Sequence, residues 1–175
     1  MLTLKNLNFA TKFLHQHYAL PYYSAQKNKL ANKLCRMHHC DRADKIEAMV
    51  LGLFIDCGYN VHKMGGLKNK CDIWVNDEKI EIKSSLADRN TNKKGEEYYS
   101  YTFSGIKPDC FDRLVLAYVK PTGAELRILT KSAVYARIRK NNLSKSGSQG
   151  CSLYHGKNDK MMGRPFYDFL ELTSR

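Results

Sequence analysis

CDIWVNDEKIEIKSS, residues 71–85, alternates apolar and polar side chains on both sides of a polar corner. That is the pattern of a β-hairpin, in which successive side chains point to opposite faces. With an even loop, at Asp77–Glu78 or Asn76–Lys79, the expected pairs are Val75 with Ile80, Trp74 with Glu81, Ile73 with Ile82 and Asp72 with Lys83. Ile73, Val75, Ile80 and Ile82 then share one face, and Asp72, Trp74, Glu81 and Lys83 share the other. An odd loop would mix the sets and bury charge among isoleucines, so the apolar pattern selects the even one. Charges gathered in a strand cost free energy unless something binds them.

Before the hairpin, ADKIEAMVLGLFIDCGYN (43–60) places Ile46, Met49, Val50, Leu53, Phe54 and Cys57 on one helical stripe. A helix over about 44–57 is expected, with Asp44 as its N-cap and Gly58 as its left-handed C-terminal residue. Further upstream, residues 3–19 and 24–40 also have helical spacing, parted by Pro21. YNVHKM (59–64) reads as a short strand, and GGLKNK (65–70) as a turn. Beyond the hairpin, the polar run 86–97 reads as a mobile loop, and YYSYTFSG (98–105) as a strand. RLVLAYVK (113–120) is almost continuously apolar, which suits a central strand. ELRILT (125–130) is another strand, KSAVYARIRK (131–140) a helix, and 141–165 loop-like. The expectation is an α/β (α+β) fold in one domain over 1–175: helices in 1–42, a core in 43–140, and a loop with a closing segment in 141–175.

The 175 residues carry a formal charge of +12, which points to a polyanionic partner, nucleic acid before an acidic membrane surface. No apolar run approaches the roughly 20 residues that span a bilayer. The first residues lack the layout of a secretory signal, so the cytoplasm, a host's if the protein is viral, is the expected compartment. Six scattered cysteines suit free thiols there. Cys35, His38, His39 and Cys40 invite a zinc reading, but no second pair stands at finger-like spacing, and unligated side chains are expected.

Two carboxylates close together repel, and one ammonium offsets only part of that. A divalent cation is a fuller answer: Asp and Glu oxygens suit Mg²⁺, which keeps waters and takes phosphate oxygens. An internal ion pair of Lys83 with Asp72 and Glu81 is the alternative without chemistry. Asp72, eight intervening residues, then Glu81-Ile82-Lys83 resembles the D…ExK signature of the PD-(D/E)XK nuclease superfamily, with its restriction-endonuclease-like core. The layout from 44 to 140 is similar too, with Glu47 on the helix ahead of the hairpin; the residue before Asp72 is Cys71 where that family often has proline.

The resemblance implies a Mg²⁺-dependent DNA endonuclease, restriction-type, with Mn²⁺ able to substitute and 5′-phosphate products. It implies that Asp72, Glu81 and the Ile82 carbonyl hold the metal, that Glu47 is a further acid there, and that Lys83 positions or activates the attacking water. The alternatives within and beyond that class are a structure-specific or single-strand (junction or repair) nuclease, an RNA-cleaving member, and a basic DNA-binding protein of the same fold without activity. Double-strand cutting needs two sites or two visits, which suits a homodimer. Basic and aromatic stretches suggest nucleic-acid contacts at Lys93 and Lys94, at Lys107, and at Arg137, Arg139 and Lys140; solvated loops explain them equally well. Arg113 is a further DNA-facing or solvated candidate.

Overall fold

The computed structural model describes residues 32–63, 71–121, 123–140, 150–156, 162–166, 168 and 170. The expected helix over 3–19, most of that over 24–40, the turn at 65–70 and most of the closing segment lie outside those residues; residues 32–36 are helical. The described elements form a mixed α/β (α+β) fold. In chain order they are α1 (His39–Asp56), β1 (Val61–Lys63), β2 (Ile73–Val75), β3 (Glu78–Leu86), β4 (Asp88–Thr91), β5 (Glu97–Ile106), β6 (Arg113–Lys120), β7 (Gly123–Thr130), α2 (Lys131–Lys140), β8 (Cys151–His155) and β9 (Arg164–Pro165), with a 3₁₀ turn at Pro108–Cys110.

The apolar stripe of α1 buries Ile46, Val50, Leu53 and Phe54, as their spacing predicts. Its start is earlier than expected: Asp44 lies inside the helix, and the N-cap is His38, whose side chain makes no capping bond. Nothing in residues 39–43 opposes helix, and Asp41 in the first turn suits the positive end of the helix dipole. The end matches expectation. Gly58 adopts φ +81, its N–H donates to the Ile55 carbonyl at 2.8 Å and that of Tyr59 donates to Phe54 at 3.0 Å, a Schellman closure.

Six strands form one sheet in the order β1-β2-β3-β6-β7-β9. β3 and β6 run parallel, and the other neighbours are antiparallel. β6 lies inside this sheet with both faces covered, which accounts for its unbroken apolar run. Val115, Ala117 and Val119 join Ile73, Val75, Ile80 and Ile82 in a core under α1. Leu114, Leu116 and Tyr118 join a second core with Tyr101 and Phe103 of β5, Leu153 of β8 and Val134 of α2. A smaller sheet, β4-β5-β8, therefore packs with α2 on the face opposite α1.

Two expected loops are strands. The polar run 86–97 holds β4, paired with the start of β5 from Asp88↔Ser100 to Thr91↔Glu97. The Asn92 side-chain oxygen accepts from the amides of Lys94 and Glu96, each at 2.9 Å, and closes the turn. Within 141–165, β8 pairs with β5 and β9 with β7. No helix among the described residues is long and apolar enough to cross a membrane.

The hairpin register also differs from the expected one. Ile73 pairs with Ile80, Trp74 with Lys79 and Val75 with Glu78, so the corner is Asn76–Asp77. Asn76 takes φ +51, a left-handed conformation that asparagine tolerates in a two-residue turn. The slip is by two residues, so each side chain keeps its face.

Candidate active site

β2–β3 pairing reaches no further than Ile73 opposite Ile80, and there Asp72 leaves the ladder. Its amide still donates to the Ile80 carbonyl at 3.1 Å. The Ile82 amide donates to Asp72 Oδ2 at 2.7 Å, so a side-chain carboxylate stands where a strand carbonyl would accept. A charged acceptor makes this a strong hydrogen bond. It fixes one carboxylate oxygen on the backbone of β3; among the described residues, no hydrogen bond reaches Oδ1.

Glu81 lies between Ile80 and Ile82 and, by alternation, faces away from the isoleucine core. Its neighbour across the parallel pair is Leu114, and that of Lys83 is Leu116, both fully buried. Glu81 is 9% exposed. Burial pushes its carboxyl above the ordinary value, and Asp72 adds to that; Lys83, by charge and hydrogen bond, and Lys107 pull it back. Lys83, two residues along the same face, forms an ion pair with Glu81. The net result is an acid short of positive charge beside a second, anchored acid. Oxygen donors from two carboxylates on neighbouring chain segments suit a hard dication that keeps part of its water shell. The buried Glu81 gains more from such a cation than a hydrated carboxylate would.

Farther along that face of β3, Ser85 is buried under β5. Its hydroxyl accepts from the Thr102 amide at 2.9 Å and donates to the Leu86 carbonyl at 3.2 Å. Trp74 shares the charged face and is half-buried, with Lys79 Nζ 5.3 Å from its ring centre, a cation–π contact. Cys71, buried next to the group, has its thiol pushed up by burial and then by the Glu81 and Asp72 charges.

Asp72, Glu81 and Lys83 thus come together. Glu47 is half-buried on α1, whose stripe covers the isoleucine face; its assignment rests on the resemblance alone. Lys107 is exposed, immediately before the 3₁₀ turn, and acts electrostatically on Glu81. That link to the acids was not legible in its sequence position, 24 residues beyond Lys83. Lys93 and Lys94 are exposed at the tip of the β4–β5 hairpin. Arg137 is half-buried on α2, and Arg139 and Lys140 end that helix. The Arg113 guanidinium grips Glu78 through two hydrogen bonds, the Nη2 contact at 2.8 Å, and ties the start of β6 to the start of β3.

No protein-family model matches the chain, and no curated protein matches it. Among solved structures, that of a bacterial homing endonuclease is similar, at 14% identity and a TM-score of 0.43 over 75% of this chain and 90% of that one. A likeness of that size adds nothing to the site, which stands on its own geometry.

Proposed function

We propose that the chain is a Mg²⁺-dependent DNA endonuclease hydrolysing phosphodiester bonds, with Mn²⁺ able to substitute. One observation carries this reading: the Asp72 carboxylate is bonded to the Ile82 amide beside a buried Glu81 that touches Lys83. The charge of +12 supports a polyanionic substrate.

Asp72, Glu81 and the Ile82 carbonyl would hold the ion, with Glu47 as a further acid. When bound, it offsets charge on the phosphate oxygens and makes a water more acidic. The rest belongs to the chain. The Ile82 amide keeps Asp72 in one orientation, so little reorganisation accompanies binding. Glu81 holds the Lys83 ammonium at the reacting centre. From there Lys83 positions the attacking water and offsets charge that gathers in the transition state. Leu114 and Leu116 exclude solvent from the site's floor and strengthen each of these charge interactions. Lys107, exposed after β5, acts electrostatically on Glu81 and suits a phosphate contact. A homodimer would supply two sites for cutting both strands.

The Glu81–Lys83 contact also suits a structural ion pair in a DNA-binding protein without activity. Supercoiled plasmid separates the readings. The endonuclease nicks or linearises it in Mg²⁺, is silent in EDTA, leaves matched RNA intact and produces 5′-phosphates. Discrete ends on sequencing identify a restriction-type enzyme, and scattered ends a structure-specific or single-strand one. Gel-shift binding with no cleavage of any substrate overturns the enzymatic reading.

A further inference from the structure

We propose that His38, His39 and Cys40 form a second cation site, at the start of α1, for a borderline dication of the zinc class. The donor atoms of these three side chains all lie within 4.8 Å of one another, and all three residues are exposed. The His38 and His39 ring centroids are 4.0 Å apart.

The sequence shows the cluster but not that three of its side chains converge. In an unbroken helix three successive side chains fan around the axis and do not converge. Here the helical turn at 32–36 stops, and His38 is extended at φ −56 and ψ 149 before α1 begins at His39. The change of backbone direction lets His38 approach the side of α1 that carries His39 and Cys40. Its side chain caps no helical amide, so coordination would sacrifice no capping bond. Cys35, half-buried with its thiol pushed up by burial, is not part of the convergent group.

Two imidazoles and a thiolate select Zn²⁺, Co²⁺ or similar ions over Mg²⁺. Tetrahedral bonds of about 2.0–2.3 Å place donors roughly 3.4–3.7 Å apart, so a rotation of exposed side chains closes the set. A dication at a helix N-terminus opposes the dipole. The Cys40 thiolate and Asp41, both in the first turn, cancel its two charges. Three protein donors leave a fourth position for solvent. The ion would fasten the segment before α1 to its first turn, at a distance from Asp72 and Glu81 along the chain and of different donor chemistry. The inference holds whether or not the chain cuts DNA.

The test is a Co²⁺ titration of the tag-free, reduced, chelator-stripped full chain, followed by its absorption spectrum. One sulfur-ligated Co²⁺ per chain is expected, counted by a sulfur-to-cobalt charge-transfer band that Zn²⁺ abolishes and excess Mg²⁺ does not. Cys40→Ser should remove the band and weaken binding by about 100-fold or more, since even residues behind a ligand are worth about 10- to 100-fold. His38→Ala and His39→Ala should each weaken it by at least about tenfold on the same scale. Cys110→Ser and Asp72→Asn should leave it unchanged. Because the three side chains are exposed, far-UV circular dichroism of every variant should match the parent. The proposal is overturned by absence of the one-to-one band, by its survival in Cys40→Ser, by indifference to both histidine variants, or by its loss in Asp72→Asn.

Discussion

The two faces of the β2–β3 hairpin use the same backbone for opposite ends. On one, Ile73, Val75, Ile80 and Ile82 are buried under α1 with Val115 and Ala117, and the surface is apolar throughout. On the other, Glu81 and Lys83 lie beside Leu114 and Leu116, and Asp72 is bonded to the Ile82 amide, with charge where a core would have hydrocarbon. The first face stabilises by removing hydrocarbon from water. The second pays for the desolvated Glu81 carboxyl, and Lys83 returns part of that cost. Period-two alternation keeps the two functions separate: a substitution on one face leaves the other's side chains where they were. Even the charged face divides along β3, since Ser85 is closed over by β5 and hydrogen-bonded to Thr102.

The largest expected effect tests that separation from the charged side. Asp72→Asn should lower plasmid cleavage in Mg²⁺ by about 10³-fold or more, the scale of losing a group that stabilises the reacting charge. Its remaining carbonyl oxygen can still accept from Ile82, so the thermal midpoint should stay near the parent's. Cooperative unfolding lost in this variant would break the separation. From the apolar side, Ile80→Ala removes a side chain that is 1% exposed and should cost about 2–5 kcal/mol in urea unfolding, with cleavage retained per folded molecule.

Glu81→Gln sharpens the contrast, because it should abolish cleavage and yet stabilise the chain. In EDTA at neutral pH the gain should be about 1 kcal/mol, the usual scale when a strained functional residue is relieved. The sign follows from proton linkage. The folded Glu81 carboxyl binds its proton more tightly than the unfolded one, whose value is near 4.5. Stability of the parent therefore falls as pH rises from 4.5 through the folded value, and is level above it. The advantage of Glu81→Gln should vanish below pH 4.5 and grow as pH rises through the folded value. An advantage independent of pH would show that burial of the carboxylate is not its source. The smallest effect belongs to Glu78→Gln, which loosens the pair with Arg113 at the half-exposed corner. It should cost about 0.2–1 kcal/mol and leave cleavage unchanged.

Much of this contrast was legible in the residues. The even hairpin loop followed from the four apolar positions, and it alone put Asp72, Glu81 and Lys83 on one face. The absolute register did not follow, because a slip of two preserves both faces and is set by the corner, where Asn76 takes the left-handed turn. Asp44 looked like a cap because its residue type favours one, whereas α1 continues back to His39 with no side-chain cap. β4 and β8 were hidden for another reason. β4 is Asp-Arg-Asn-Thr, a run of weak strand preference, and β8 is a short Cys-Ser-Leu-Tyr-His set in a stretch rich in Ser, Gly, Lys and Asn; both pair along β5, whose aromatic inner face supplies the core. The influence of Lys107 on Glu81 depends on how the segment between β5 and β6 returns to β3, where Asp112 exchanges hydrogen bonds with the Lys79 backbone, and no local pattern encodes that.

Lys83→Ala tests the central claim most directly, since it leaves both acids and the isoleucine face in place. Its plasmid cleavage rate should be measured in Mg²⁺ at saturating protein, beside DNA affinity by gel shift. If the charged face is chemical, the rate falls by about 10²-fold or more and affinity changes little. Cleavage at the parent's rate would contradict the account and leave Lys83 as no more than the partner of a buried acid.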